Sequence, residues 1–90
     1  MKAVQQLQDI VAKLRAPGGC PWDRAQTLTS LTPCIIEEAY ELVSALESDN
    51  TQDIVDECGD FLLQVIMIAT IAQEEKRFDL ASIAKSSCEK

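Results

Sequence analysis

The sequence predicts an all-α fold: a four-helix domain whose bundle is completed by homo-oligomerisation. Apolar residues recur with a helical period over most of the chain, and no segment shows the strict alternation of a strand. Three Gly and three Pro in 90 residues are too few for the many turns of a β-sandwich. At 47% hydrophobic and 26% charged, the chain has the composition of a folded globule, and its length allows one domain, residues 1–90.

The elements follow in order. Val4, Leu7, Ile10, Val11 and Leu14 share one helical face, so the first helix spans 2–15. Ala16-Pro17-Gly18-Gly19-Cys20-Pro21 stops it, since Pro cannot continue a helix and Gly frees the backbone. Residues 22–32 have no clear period and read as a polar connection. Thr32 followed by Pro33 is a helix start, a hydroxyl cap before a ring pre-set for the first turn, and Ser48-Asp49-Asn50 ends that second helix after Glu47. Thr51 is placed to cap a third helix, with Asp53 near its positive end and Lys76-Arg77 beyond Glu75 at its negative end. Asp79 caps a fourth helix that runs through the C-terminus.

The third helix carries the oligomer expectation. Leu62, Leu63, Val65, Ile66, Met67, Ile68 and Ile71 surround its whole circumference, and a helix apolar on all sides must be covered on all sides. So small a chain cannot do that alone, so a second copy is expected against it.

Charge and composition exclude several functions. A net charge of −7 argues against nucleic acid, whose phosphates need a basic patch. The longest apolar run, Phe61–Ala72, is short of a membrane span and is interrupted by Gln64 and Thr70. The first residues lack the apolar run of a secretory signal, which points to the cytoplasm. Cys20, Cys34, Cys58 and Cys88 form no CxxC and the chain has no His, so neither zinc nor disulfides are expected, and the cysteines read as small buried hydrophobes. Without His, Ser-His and Cys-His nucleophiles are absent too.

What remains is a concentration of acids. All eight Lys and Arg lie in residues 2–24 or 76–90, whereas nine of the fifteen acids fall between Glu37 and Asp60. Glu38 and Glu41 are three apart and share a helix face; Glu57 and Asp60 repeat the spacing on the next helix. Glu38 projects at the edge of the apolar arc of Ile35, Ala39, Leu42 and Leu46, and Glu57 falls among Phe61, Gln64 and Ile68, so these acids face the interior. Carboxylates buried together repel and lose water, so they protonate or gather a cation. With no Lys or Arg nearby, a divalent metal is the economical partner, and an all-oxygen ligand set favours Mg²⁺, with Mn²⁺ able to replace it. Di-iron bundles use Glu-x-x-His, which is missing here. Gly59, inside the third helix, costs about 1 kcal/mol against Ala and implies close approach of a ligand or of another helix.

Glu37-Glu38-Ala39-Tyr40-Glu41, a fifteen-residue spacer and Glu57-Cys58-Gly59-Asp60, preceded by Gly19-Cys20-Pro21-Trp22-Asp23, Gln26-Thr27 and Ser30-Leu31 and followed by Arg77-Phe78-Asp79-Leu80, resemble the MazG family of nucleoside triphosphate pyrophosphohydrolases. The resemblance covers nearly the whole chain. It implies an all-α dimer or tetramer that hydrolyses (d)NTPs, with Mg²⁺, to the monophosphate and pyrophosphate, and a role in clearing unwanted nucleotides. It implies Glu38, Glu41, Glu57 and Asp60 as metal ligands, and Glu37 beside them orienting water or helping to hold a second ion, so that Glu37 and Glu38 serve catalysis. Lys90 corresponds to a basic position of the family's last helix and is a candidate phosphate contact, with Arg24 and Lys76 as further candidates; for each the alternative is a solvated surface cation. Trp22 is placed either to stack on the base or to plug the core between the first two helices. Longer relatives continue past Lys90 with a basic segment, so that part of the pocket is missing here or comes from another subunit. The alternative is a helical module that binds nucleotide or metal without turnover.

Overall fold

Helices make up all the regular structure of the protein, and its computed structural model describes residues 1–90. The first, α1 (Lys2–Arg15), turns Leu7 and Val11 to the core and ends where Ala16 becomes extended before Pro17. Gly18 takes φ +85°, the left-handed region Gly enters without strain. Gly19 then passes so close beneath the helix end that an added Cβ would meet the carbonyl oxygens of Leu14 and Lys13. That approach lets the Cys20 N–H donate to the Leu14 carbonyl at 2.8 Å, satisfying a group the helix end leaves free.

The stretch without a clear period is more ordered than its pattern predicts. It forms a short helix, α2 (Pro21–Ala25), and a 3₁₀ turn over Thr29–Leu31, so the chain has five helices rather than four. Pro21 supplies a pre-set φ at the first helical position. Thr27 and Ser30 exchange bonds, the Thr27 N–H donating to Ser30 Oγ at 2.8 Å and the Ser30 N–H to Thr27 Oγ1 at 3.1 Å. Such local side-chain bonds stabilise turns without leaving a hydrophobic period.

From this turn the chain enters α3 (Thr32–Ser48) without a break. Thr32 is inside the helix, at φ −52° and ψ −51°, and does not cap it, because Leu31 is already helical. Asp49, at φ 57°, and Asn50 make the tight turn into α4 (Thr51–Glu74), so the two helices form an antiparallel hairpin. The cap of α4 is Asn50, one residue before the expected Thr51; its Oδ1 accepts from the Asp53 N–H at 3.0 Å. At the far end Lys76 is left-handed, at φ 59°, and the Arg77 N–H reaches the Ala72 carbonyl at 2.9 Å. The last helix, α5 (Leu80–Cys88), starts with the expected Asp79 cap, completed reciprocally by Ser82.

The core is Val11, Leu31, Ile66, Met67 and Ile71, with Leu7, Ile35, Leu63 and Leu80 packed against it. It lies around the C-terminal half of α4, against which α1, α3 and α5 pack. There Ile66, Met67, Ile71 and Ala72 are buried within the single chain, while Leu63, Val65 and Ile68 are half-buried and Leu62 is exposed, so one chain covers only part of the apolar circumference of α4. Uncovered on the hairpin are Ile36, Tyr40, Val43 and Leu46 of α3 and Val55 and Leu62 of α4, and elsewhere Met1, Ile10 and Trp22. The cysteines depart from expectation as well. Cys58 and Cys88 are exposed, Cys20 and Cys34 half-buried, and all four are free thiols.

Candidate functional site

The acids lie on the N-terminal half of α4 and the facing part of α3, beyond the core. The hairpin explains why the fifteen-residue spacer suits them. Glu41 is eight residues before Asp49 and Glu57 eight after it, while Glu38 and Asp60 are each eleven away, so an antiparallel pair hinged at that turn sets the two ExxE-type pairs level with each other. Oxygens of Glu38, Glu41 and Glu57 all come within 4.8 Å of one another. Asp60 is outside this closest group but near enough for its charge to act on both Glu38 and Glu57. Glu37, on the neighbouring face of α3, is exposed and also acts on Glu38.

Burial is divided unevenly among them. Glu38 and Glu57 are half-buried, and each has an Oε2 that is out of solvent with no hydrogen-bond partner. Glu41 and Asp60 are exposed, so the inward-facing reading holds for one acid of each pair. Lost hydration is the main cause that lifts the Glu38 carboxyl above its ordinary range, with repulsion from Glu41, Asp60 and Glu37 adding to it. Glu57 is lifted the same way, by lost hydration first and then by Glu41 and Asp60. No ion pair in the chain involves any of these acids; the three pairs are Arg15–Glu74, Arg77–Glu75 and Lys85–Glu89.

Two orphaned oxygens, a third carboxylate within reach and no neighbouring cation are what a hard divalent ion with oxygen ligands would satisfy. Beside the acids a cleft of about 330 Å³ is lined by Tyr40, Ser44, Ser48 and Asp53 together with Glu41 and Glu57. Nothing in the sequence marks Ser44, and Asp53 is marked only as a charge at the start of α4, although Ser44 is three residues after Glu41 and Asp53 four before Glu57, spacings that put them on the same faces. A larger cavity, about 1060 Å³, lies between α1, α4 and the start of α5. It contains no part of the acid cluster, and its single cation, Arg15, is already paired with Glu74.

The remaining candidates are not gathered at the acids. Trp22 is on α2 and 55% exposed, which removes the core-plug role. Next to it, the Asp23 carbonyl accepts from Arg15, whose guanidinium also holds Glu74. Glu74 is fourteen residues beyond Asp60, about 21 Å along the axis of α4. Trp22 and Arg24 therefore belong to the opposite end of the hairpin from the acids. Lys90 follows the end of α5 and is exposed. An added Cβ at Gly59 meets nothing within 4 Å, so tight helix packing within the chain does not explain that glycine.

Residues 26–90 match the model of the MazG nucleotide pyrophosphohydrolase domain. The chain belongs to the MazG family. Similar members include the nucleoside triphosphate pyrophosphohydrolase/pyrophosphatase MazG of Thermotoga maritima, 44% identical over 96% of this chain, and the nucleoside triphosphate pyrophosphohydrolase of Escherichia coli (strain K12), 40% identical over 100% of this chain. An uncharacterized protein of Bacillus subtilis, YabN, is 42% identical over 92% of this chain. The chain spans 34% and 35% of the length of the first two and 17% of the third. The matched region contains Glu37, Glu38, Glu41, Glu57 and Asp60 but begins after Trp22 and Arg24. No helix is long and apolar enough to cross a membrane.

Proposed function

We propose that the chain is a Mg²⁺-dependent pyrophosphohydrolase that converts (d)NTPs to the monophosphate and pyrophosphate in the cytoplasm, removing unwanted nucleotides. The observation that carries this reading is the convergence of Glu38, Glu41 and Glu57 with two buried, unpartnered carboxylate oxygens and no cation of the chain's own. Membership of the MazG family supports the reaction class.

In this reading Glu38, Glu41, Glu57 and Asp60 hold the metal, with Mn²⁺ able to replace Mg²⁺. When bound, the ion supplies positive charge to the phosphoryl oxygens and to the leaving pyrophosphate. The chain's own groups do the rest. Half-burial of Glu38 and Glu57 fixes two carboxylates in place, and Glu41 and Asp60 remain open toward incoming phosphates. Glu37, exposed beside Glu38, accepts a hydrogen bond from the attacking water and orients it, acting with Glu38 in catalysis. Trp22, Arg24 and Lys90 serve nucleotide binding from a second copy, since Trp22 and Arg24 are remote from the acids of their own chain; the active form is accordingly a homo-oligomer, a dimer or tetramer.

The test is pyrophosphate release from a panel of NTPs and dNTPs with and without Mg²⁺. Turnover that needs the metal and falls at least a hundredfold in Glu38→Ala and Asp60→Ala is expected. Unchanged turnover in those variants would remove the metal assignment, and nucleotide binding without hydrolysis would reduce the chain to a binding module.

A further inference from the structure

We infer that Arg15, far from the acids in sequence and space, is a positioning residue for them: its clasp to Glu74 pins the entry of α3 onto α4 and so keeps the carboxylates of the two helices at ion-binding separation. The inference rests on the reading of the acids as a metal site.

The clasp is unusually complete. Arg15 Nε donates to Glu74 Oε2 at 2.8 Å and Nη2 to Glu74 Oε1 at 2.9 Å, a two-pronged pair between residues 59 apart in sequence. The remaining nitrogen, Nη1, donates to the carbonyls of Asp23 and Gln26. With its side chain only 9% exposed, the guanidinium has little water to compete for these bonds. Hydrogen bonds continue from there toward α3. Gln26 Oε1 accepts from Ser30 Oγ at 2.7 Å, its Nε2 donates to the Trp22 carbonyl at 2.9 Å, and Ser30 is locked to Thr27. The next residue, Leu31, is buried in the core and leads directly into α3.

Besides the core packing of Leu31 and Ile35 against α4, two attachments hold the ends of the pair: the Asp49–Asn50 turn at one end and this assembly at the other. The acid cluster lies between them, and its carboxylates push the helices apart. With the clasp gone, the entry of α3 is held by that core packing alone, and α3 gains freedom to pivot about the turn. Glu38 is eleven residues from that pivot, about 16 Å along the helix, and Glu41 eight, about 12 Å, so Glu38 swings farther from Glu57. An ion must then select the closed hairpin from a mixed population, and its apparent affinity falls by the closed fraction.

The experiment is a calorimetric titration of Mg²⁺ into the substrate-free chain, paired with thermal melts at zero and saturating Mg²⁺. Arg15→Ala is expected to weaken Mg²⁺ binding about tenfold, Arg15→Lys and Glu74→Gln about threefold, while kcat at saturating Mg²⁺ stays within about twofold of the unsubstituted chain. The milder pair carries the test should Arg15→Ala fail to fold. A general packing role would lower the melting temperature equally with and without Mg²⁺ and leave the dissociation constant unchanged; that result overturns the inference alone. An unsubstituted chain that binds no Mg²⁺ overturns both the inference and the metal site beneath it.

Discussion

Glu38 and Glu57 hold their protons more tightly in the folded chain than in the unfolded one, because each has lost water and faces other carboxylates. A raised carboxyl pKa makes the folded state bind more protons, so its stabilising contribution is present at low pH and is lost as pH rises through the raised value. The metal-free chain should therefore melt lower at pH 7 than at pH 5 on account of these two groups. Glu38→Gln, which keeps the shape and drops the charge, should raise the metal-free melting temperature at pH 7 by a few degrees, with the gain shrinking toward pH 4. Adding Mg²⁺ should reverse the order, because the ion stabilises only the chain that retains its ligands. Melts of both proteins across pH 4–8, with and without Mg²⁺, check all three outcomes. Glu74 behaves oppositely. Its hydrogen bonds from Arg15 lower its pKa, so its contribution is present above the ordinary carboxylate range and is lost as pH falls through the lowered value.

At the level of elements, Gly19 and Gly59 make opposite predictions. Gly19→Ala drives a Cβ into the carbonyls that end α1 and should cost about 1–3 kcal/mol, since neither carbonyl can move without opening the turn. Gly59→Ala adds a Cβ in open space to the middle of α4 and should stabilise the isolated chain by about 1 kcal/mol. Urea unfolding of both variants measures the two shifts. If Gly59 is kept for a ligand or a second copy, its Ala variant will be more stable yet slower in turnover. The helices themselves were legible in the sequence, because α1 and α3 are amphipathic over several turns, α4 carries a long apolar run with no strand-like alternation, and their ends are marked by Pro17, Asp49–Asn50 and Asp79. So was the approach of Glu38, Glu41 and Glu57, which needs only the helical period and a reversal of the chain, whereas Asp60 stays outside the closest group. What the sequence hid depends on contacts that leave no period. Asn50 displaced Thr51 as a cap through a single side-chain bond, α2 and the 3₁₀ turn arise from Pro21 and the Thr27–Ser30 exchange, and the Arg15 clasp joins a side chain to two backbone carbonyls and a glutamate 59 residues away. The choice between the two roles open to Trp22 is hidden as well, because nothing in the sequence says that α2 lies at the outer end of the hairpin and leaves Trp22 exposed.

The whole molecule exposes more surface than its mass requires. A compact monomer of 9.9 kDa has about 5,200 Å² of accessible surface, whereas this chain has 6386 Å². Its radius of gyration, 14.0 Å, likewise exceeds the roughly 12 Å of a compact 90-residue domain. The excess area is comparable to one partner's share of a standard protein interface. Its apolar part is concentrated on the hairpin: Ile36, Val43 and Leu46 share one side of α3, and Val55 and Leu62 share one side of α4. At 100° per residue those sides point away from Glu38 and Glu41 on α3 and from Glu57 and Asp60 on α4. A second copy packed there would cover the apolar stripes and leave the acids open to substrate. Charge placed in the stripes should therefore separate assembly from metal binding. Val43→Asp and Leu62→Asp, exposed at 50% and 41% and away from the acids, should shift the mass measured by light scattering from dimer or tetramer to monomer at micromolar concentration. The same variants should retain Mg²⁺ affinity within about twofold, because the carboxylates and the Arg15 clasp all belong to one chain. If nucleotide binding draws on Trp22, Arg24 or Lys90 of the second copy, they should also raise KM. A monomeric mass for the unsubstituted chain would refute the assembly and return those three residues to the surface of a single domain.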